Sequence, residues 1–110
     1  MNAPNLTVRA TGFAPCGKAS RYVQQLVNHW GHKMATTWAA NDAGGPGDGH
    51  AEFPFSEDTL AAMDTSDGGI TITLTTPDAE DNVRMRGVIE RHLDRFAFRE
   101  APLSYEWTEK

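Results

Sequence analysis

A chain of 110 residues, 39% of them hydrophobic, supports one domain over residues 1–110 with a single packed core and argues against disorder. A net charge of −5 disfavours nucleic acid and anionic membrane surfaces as partners. No apolar run reaches membrane-spanning length, the start lacks a basic-then-apolar leader, and Cys16 has no second cysteine to pair with, so the expected setting is bacterial and cytoplasmic.

In chain order, Leu6, Val8 and Ala10 alternate with Thr7 and Arg9, the two-residue period of a half-buried strand. Gly12 to Gly17, with Pro15 between, are expected to interrupt it. From Lys18 to Lys33 the period becomes helical, and Tyr22, Val23, Leu26, Val27 and Trp30 form one stripe that should face a sheet. Gly31 weakens the last turn. MATTWAA predicts a strand with Met34, Thr36 and Trp38 on one face, followed by a glycine-rich loop over 41–49.

HAEFPF reads as a short strand with Phe53 and Phe55 on one side, and Pro54 places it at an edge or a bulge because proline has no N–H for a ladder. TLAAM and ITITLTT are two more strands, the second with Ile70, Ile72 and Leu74 inward and threonines outward. Thr76 is the expected N-cap of a second helix, with Pro77 in its first position and Asp78 and Glu80 at its positive end. That helix should run to Phe96, and LSYEW should close the chain as a strand with Leu103, Tyr105 and Trp107 alternating.

The order is β-α-β-β-β-β-α-β. Short hairpin connections imply a mainly antiparallel sheet, and two amphipathic helices must cover one face of it. The fold class is therefore α+β, a two-layer sandwich.

The chemistry-bearing residues gather near the helix ends. Met85, Val88, Ile89, Leu93 and Phe96 define the apolar face of the second helix, and His92 projects near its middle, towards the core. A buried imidazole needs a partner for each ring nitrogen. His29 falls at the margin of the first helix's stripe, and His32, three residues on, can share its face. One reading makes His92 a core histidine bonded to a carbonyl or carboxylate, and His32 an exposed helix residue. The other makes His29, His32 and His92 ligands of a transition metal, for which imidazole nitrogen is suited.

Arg84, Arg86 and Arg91 have acids at helical spacing in Glu80, Glu90 and Asp94. Arg95 has Arg91 and Arg99 at four residues instead, so it is either a clamp for an anion, with Lys33 beside it, or the partner of an acid on a strand. Glu100 can pair with Arg91 or Arg99 across the bend that ends the helix. Cys16 lies just ahead of a helix, where a thiolate is favoured, but no histidine lies beside it in sequence and no role is assigned to it. His50 should be exposed. GGPGDG lacks the lysine and hydroxyl ending of a phosphate loop.

ASRYVQQLVNHWGHK, the later PDAEDNVRMRGVIERHLDRFAFRE and the final YEW resemble a bacterial domain family of unassigned function, often encoded beside or joined to siderophore-interacting proteins. The positions carrying the likeness are Arg21, Tyr22, His29, Trp30, His32, Lys33, His92, Leu93, Arg95, Phe96, Phe98, Arg99 and Glu100. The resemblance implies a link to iron handling. The glycine-rich insertion near 41–50 departs from the family pattern.

Three functional expectations follow. The first is an accessory that binds a metal or an anionic chelate, with His29, His32 and His92 at the metal and Lys33, Arg95, Arg99 and Glu100 at the ligand. The second is an interaction domain docking on a partner such as a siderophore-interacting flavin reductase, with purely structural histidines. The third, ranked below these because no nucleophile or cofactor fingerprint is evident, is an enzyme using a histidine base on an anionic substrate.

Overall fold

The computed structural model describes residues 7–40, 48–66 and 68–109. The expected loop over 41–49 lies mostly outside them. The elements are β1 (Val8–Pro15), α1 (Ala19–Trp30), β2 (Thr37–Ala40), β3 (Gly49–Ser56), β4 (Thr59–Ser66), β5 (Gly69–Thr76), α2 (Ala79–Phe96) and β6 (Glu106–Glu109). They form the expected two-layer α+β sandwich. The sheet has six strands in the order β2-β3-β4-β5-β1-β6, and every neighbouring pair is antiparallel.

Strand alternation divides the sheet into a covered and an open face. Ala14, Ala51, Phe53, Ala61, Met63, Ile70, Ile72 and Leu74 point under the helices and join Tyr22, Val23, Leu26 and Trp30 of α1 and Met85, Ile89 and Leu93 of α2 in one core. The opposite face carries Thr71, Thr73 and Thr75 of β5, as period-two patterning predicts, whereas Thr76 is in phase with Leu74 and buried.

β1 does not stop at Gly12. It continues to Pro15, pairing with β5 along its whole length, because Ala10, Gly12 and Ala14 keep the inward alternation with small residues. Gly12 is required there by its neighbour: an added Cβ would lie 2.7 Å from Trp107 Cε3, so the indole of edge strand β6 covers the glycine. Gly49 is covered in the same way by Trp38 of the opposite edge strand β2. Each edge strand thus contributes one tryptophan that fills the gap left by an interior glycine.

Both helices differ from expectation at their ends. α1 stops at Trp30, not Lys33: the Gly31 N–H closes on Val27 O at 2.8 Å, and the Lys33 and Met34 N–H groups then both turn back to Trp30 O. Thr76 belongs to β5, and the α2 N-cap is Asp78, whose carboxylate accepts from Asp81 N–H at 2.8 Å. β2 and β6 begin later than predicted, at Thr37 and Glu106. Pro54 is accommodated twice over. The β3–β4 register shifts between Pro54 and Ser56, and β2 pairs with β3 no further along than Glu52.

Of the local ion pairs expected along α2, those of Glu90 and Asp94 give way to tertiary contacts. Glu90 accepts from Trp107 Nε1 at 2.7 Å, and Asp94 accepts from the Leu103 N–H and the Tyr105 O–H. Arg86 reaches Glu109 at 2.7 Å and Asn82 Oδ1 at 2.8 Å, while Arg84 pairs with Asp81. The acids of α2 therefore hold the C-terminal leg against the helix. Asn82, fully buried, completes this end by donating to Val8 O and Leu74 O.

Candidate functional site

The two helices run past each other so that the end of α1 meets the last turns of α2. Trp30, the final residue of α1, packs edge-on against Phe53 and Phe55 of β3, with ring centroids 5.4 and 4.8 Å away. The His92 ring lies against the same indole at 4.8 Å. Trp30 thus takes the core position, and His92 sits at the rim of the core, half-buried, where the helical projection had set it inside.

His29 completes the arrangement from the other helix. Its ring centroid is 5.5 Å from that of His92 and 5.7 Å from that of Phe96, which it meets edge-on. His92 Nδ1 lies 2.8 Å from Val88 O, one turn back on α2. A carbonyl only accepts, so Nδ1 carries the proton, and in the neutral ring Nε2 is left with a bare lone pair. Partial burial holds the His29 pKa below the ordinary histidine value, and the charges of His92, Arg95, Lys33 and His32 act in the same direction. His29 therefore favours the uncharged imidazole at neutral pH.

The remaining candidates divide around this pair. Lys33 and Arg95 are exposed and close enough for their charges to act on His29. Arg95 has no ion-pair partner among the described residues. His32 lies in the turn beyond α1 and is exposed, so it does not share a helical face with His29. Among the described residues no group of three His, Cys, Asp or Glu side chains is placed to hold a metal ion, so the three histidines do not form a closed set.

Arg99 and Glu100 lie past Phe96, in a cleft of about 630 Å³ between the start of α1 and the exit of α2. Glu100 does not pair with an arginine. Its carboxylate accepts from Gly17 N–H at 3.0 Å and from the Tyr22 O–H at 2.5 Å, fastening the exit turn to the start of α1. These bonds, that from Tyr22 foremost, hold the Glu100 carboxyl below the usual carboxylate range and push the Tyr22 phenol up to about 12. Lys18, at the N-cap position of α1, makes no side-chain cap, and no acid stands in the first turn.

Two features were not legible at all. Cys16 is buried, and burial followed by the Glu100 charge pushes its thiol up. His50 is half-buried on the open sheet face, between Asp64 at 2.7 Å on Nδ1 and Glu52 at 2.9 Å on Nε2. Strand alternation puts His50 and Glu52 on one face, but Asp64 joins them through the β3–β4 register.

Residues 11–108 match the family described as "Uncharacterized protein conserved in bacteria (DUF2218)". The fold is similar to the NMR structure of PA4090 from Pseudomonas aeruginosa, with a TM-score of 0.65 and 27% identity over 91% of this chain and 94% of that one. No curated protein matches. No described helix is long and apolar enough to cross a membrane.

Proposed function

This chain belongs to that bacterial family, DUF2218, and from that premise we propose that it binds a transition metal carried in an anionic chelate at the helix seam. His29 and His92 supply nitrogen to the metal, and Lys33 and Arg95 meet the chelate's negative charge. The observation that carries this reading is the pair of half-buried imidazoles 5.5 Å apart, one from each helix.

The donor set limits the ligand. A neutral His92 has only a lone pair to offer on Nε2, which suits a metal and not an anion. Two imidazoles leave a four- or six-coordinate ion short of ligands, and the cations at Arg95 and Lys33 oppose a bare cation. A chelate answers both conditions, because it brings its own donors and its own negative charge. The neighbourhood with siderophore genes that the sequence resemblance implies would make that chelate a ferric one.

The test is calorimetric and spectroscopic titration of the metal-free protein with Cu(II), Zn(II), Ni(II) and ferric citrate, repeated with His29→Ala and His92→Ala. Saturable binding that falls at least tenfold in each variant is the expected result. Absence of saturable binding, or equal binding by both variants, overturns the reading.

Docking on a flavin reductase stands as the second proposal, and the open sheet face is where it would act. Among the described residues Phe13 and Leu60 are the exposed large apolar side chains there, but they stand on β1 and β4 with Thr71, Thr73 and Thr75 of β5 between them. That gives a polar face with two isolated apolar residues, weaker support than the histidine pair gives the chelate.

A further inference from the structure

We infer that the cleft between the start of α1 and the exit of α2 is a second binding site, for a small aromatic carboxylate. It rests on different residues from the metal reading and stands or falls separately. The cleft encloses about 630 Å³, within the roughly 300–1,000 Å³ range of small-molecule pockets.

Its lining is a local exception to the acidity of the chain. Lys18, Arg21 and Arg99 all border it, against one acid, Glu100. None of the three cations has an ion-pair partner among the described residues. The Glu100 carboxylate is already engaged by the Gly17 N–H and the Tyr22 O–H, so it serves as a fixed part of the wall. The two guanidinium groups are thus left to face an incoming anion, and their planar forks match a carboxylate.

The other half of the lining is aromatic. Phe96 and Phe98 border the same space, and Phe98 is 70% exposed. The Arg99 guanidinium carbon lies 5.7 Å from the Phe98 ring centroid, so cation and ring are presented together. A ligand with a flat apolar body and a carboxylate on its edge satisfies both: the ring covers Phe98 and the charge reaches Arg21 and Arg99.

The probe is 2-naphthoate, titrated into the isotope-labelled full chain with a metal chelator present, so that the outcome does not depend on the histidine pair. Backbone amide shifts should saturate and concentrate at Gly17, Lys18, Arg21, Gln25, Phe98 and Arg99. Affinity should fall at least tenfold in Arg21→Ala/Arg99→Ala, in Phe98→Ser, and when neutral 2-naphthamide replaces the acid. All three substituted side chains are exposed, and the amide spectrum reports that each variant is folded. Scattered or absent shifts overturn the site. Equal binding by the arginine variant or the amide removes the carboxylate, and equal binding by Phe98→Ser or by inorganic phosphate removes the aromatic part.

Discussion

The imidazoles of His29 and His92 approach to 5.5 Å between centroids from two different helices, with His92 also seated on Trp30. Burial opposes protonation of His29, and the charges of His92, Arg95, Lys33 and His32 add to that opposition. His50 is the opposite case, with Glu52 and Asp64 on its two nitrogens holding its pKa above the ordinary value. In a histidine-resolved NMR titration, His29 should therefore titrate below 6.5 and His50 above it. The stability signs follow. The unfolded chain protonates near 6.5 while folded His29 resists, so its contribution is lost as pH falls from 6.5 through the folded value. The contribution of His50 is complete below 6.5 and is lost as pH rises through its folded value. His92→Ala should raise the His29 value; an unchanged value would mean that the two rings do not interact.

The architecture could be read from periodicity because each long element has one dominant period. ITITLTT alternates cleanly, and Ile70, Ile72 and Leu74 are all fully buried. The stripe of α1 likewise places Tyr22, Val23, Leu26 and Trp30 in the core. What escaped the sequence is what depends on register or on neighbours distant in sequence. Gly12 resembled a break because its side-chain volume comes from Trp107, 95 positions away. Asp94 resembled a partner for Arg91 because its actual donors, the Leu103 N–H and the Tyr105 O–H, arrive with the C-terminal leg. His92 was placed one layer too deep, since a helical projection gives direction and not the depth at which Trp30 ends the core.

The covered glycines make a packing prediction. In Gly12→Ala the new methyl meets the indole of Trp107, whose Nε1–H is held by Glu90 and whose face is under the Arg86 guanidinium. The ring is held by both of these contacts, so the strain reaches the backbone and should cost about 1–3 kcal/mol in urea denaturation. Gly12→Ala combined with Trp107→Leu should recover part of that loss. If the single variant is as stable as the parent, the indole moves freely and β6 is not pinned.

Glu100→Gln separates charge from hydrogen bonding at the cleft wall. The amide oxygen can still accept from Gly17 N–H and Tyr22 O–H, but the negative charge that holds the Tyr22 proton is gone. The Tyr22 value should fall from about 12 towards 10, followed by NMR of the phenolic carbon so that Tyr105 is resolved separately. In the parent, the Tyr22 contribution to stability is complete below pH 10 and disappears between 10 and about 12. The Glu100 contribution is complete above 4.5 and is lost as pH falls through its depressed folded value. Both dependences should flatten in the variant.

Asn82 is the residue whose replacement should damage the fold most for its size. It is fully buried, donates from one amide nitrogen to Val8 O and Leu74 O, and accepts from Arg86 Nε. It therefore ties α2 to the adjoining strands β1 and β5 at the end where β5 hands over to the helix. Asn82→Ala removes three hydrogen-bond partners and opens a cavity, a loss of about 2–4 kcal/mol by denaturant titration. Asn82→Asp keeps the shape and the Arg86 contact but points a carboxylate oxygen at two carbonyls. At neutral pH it should be less stable than Asn82→Ala, and it should regain stability as pH falls and the acid becomes a donor. An aspartate variant as stable as the parent at neutral pH would show that the amide nitrogen makes no contribution to holding the helix to the sheet.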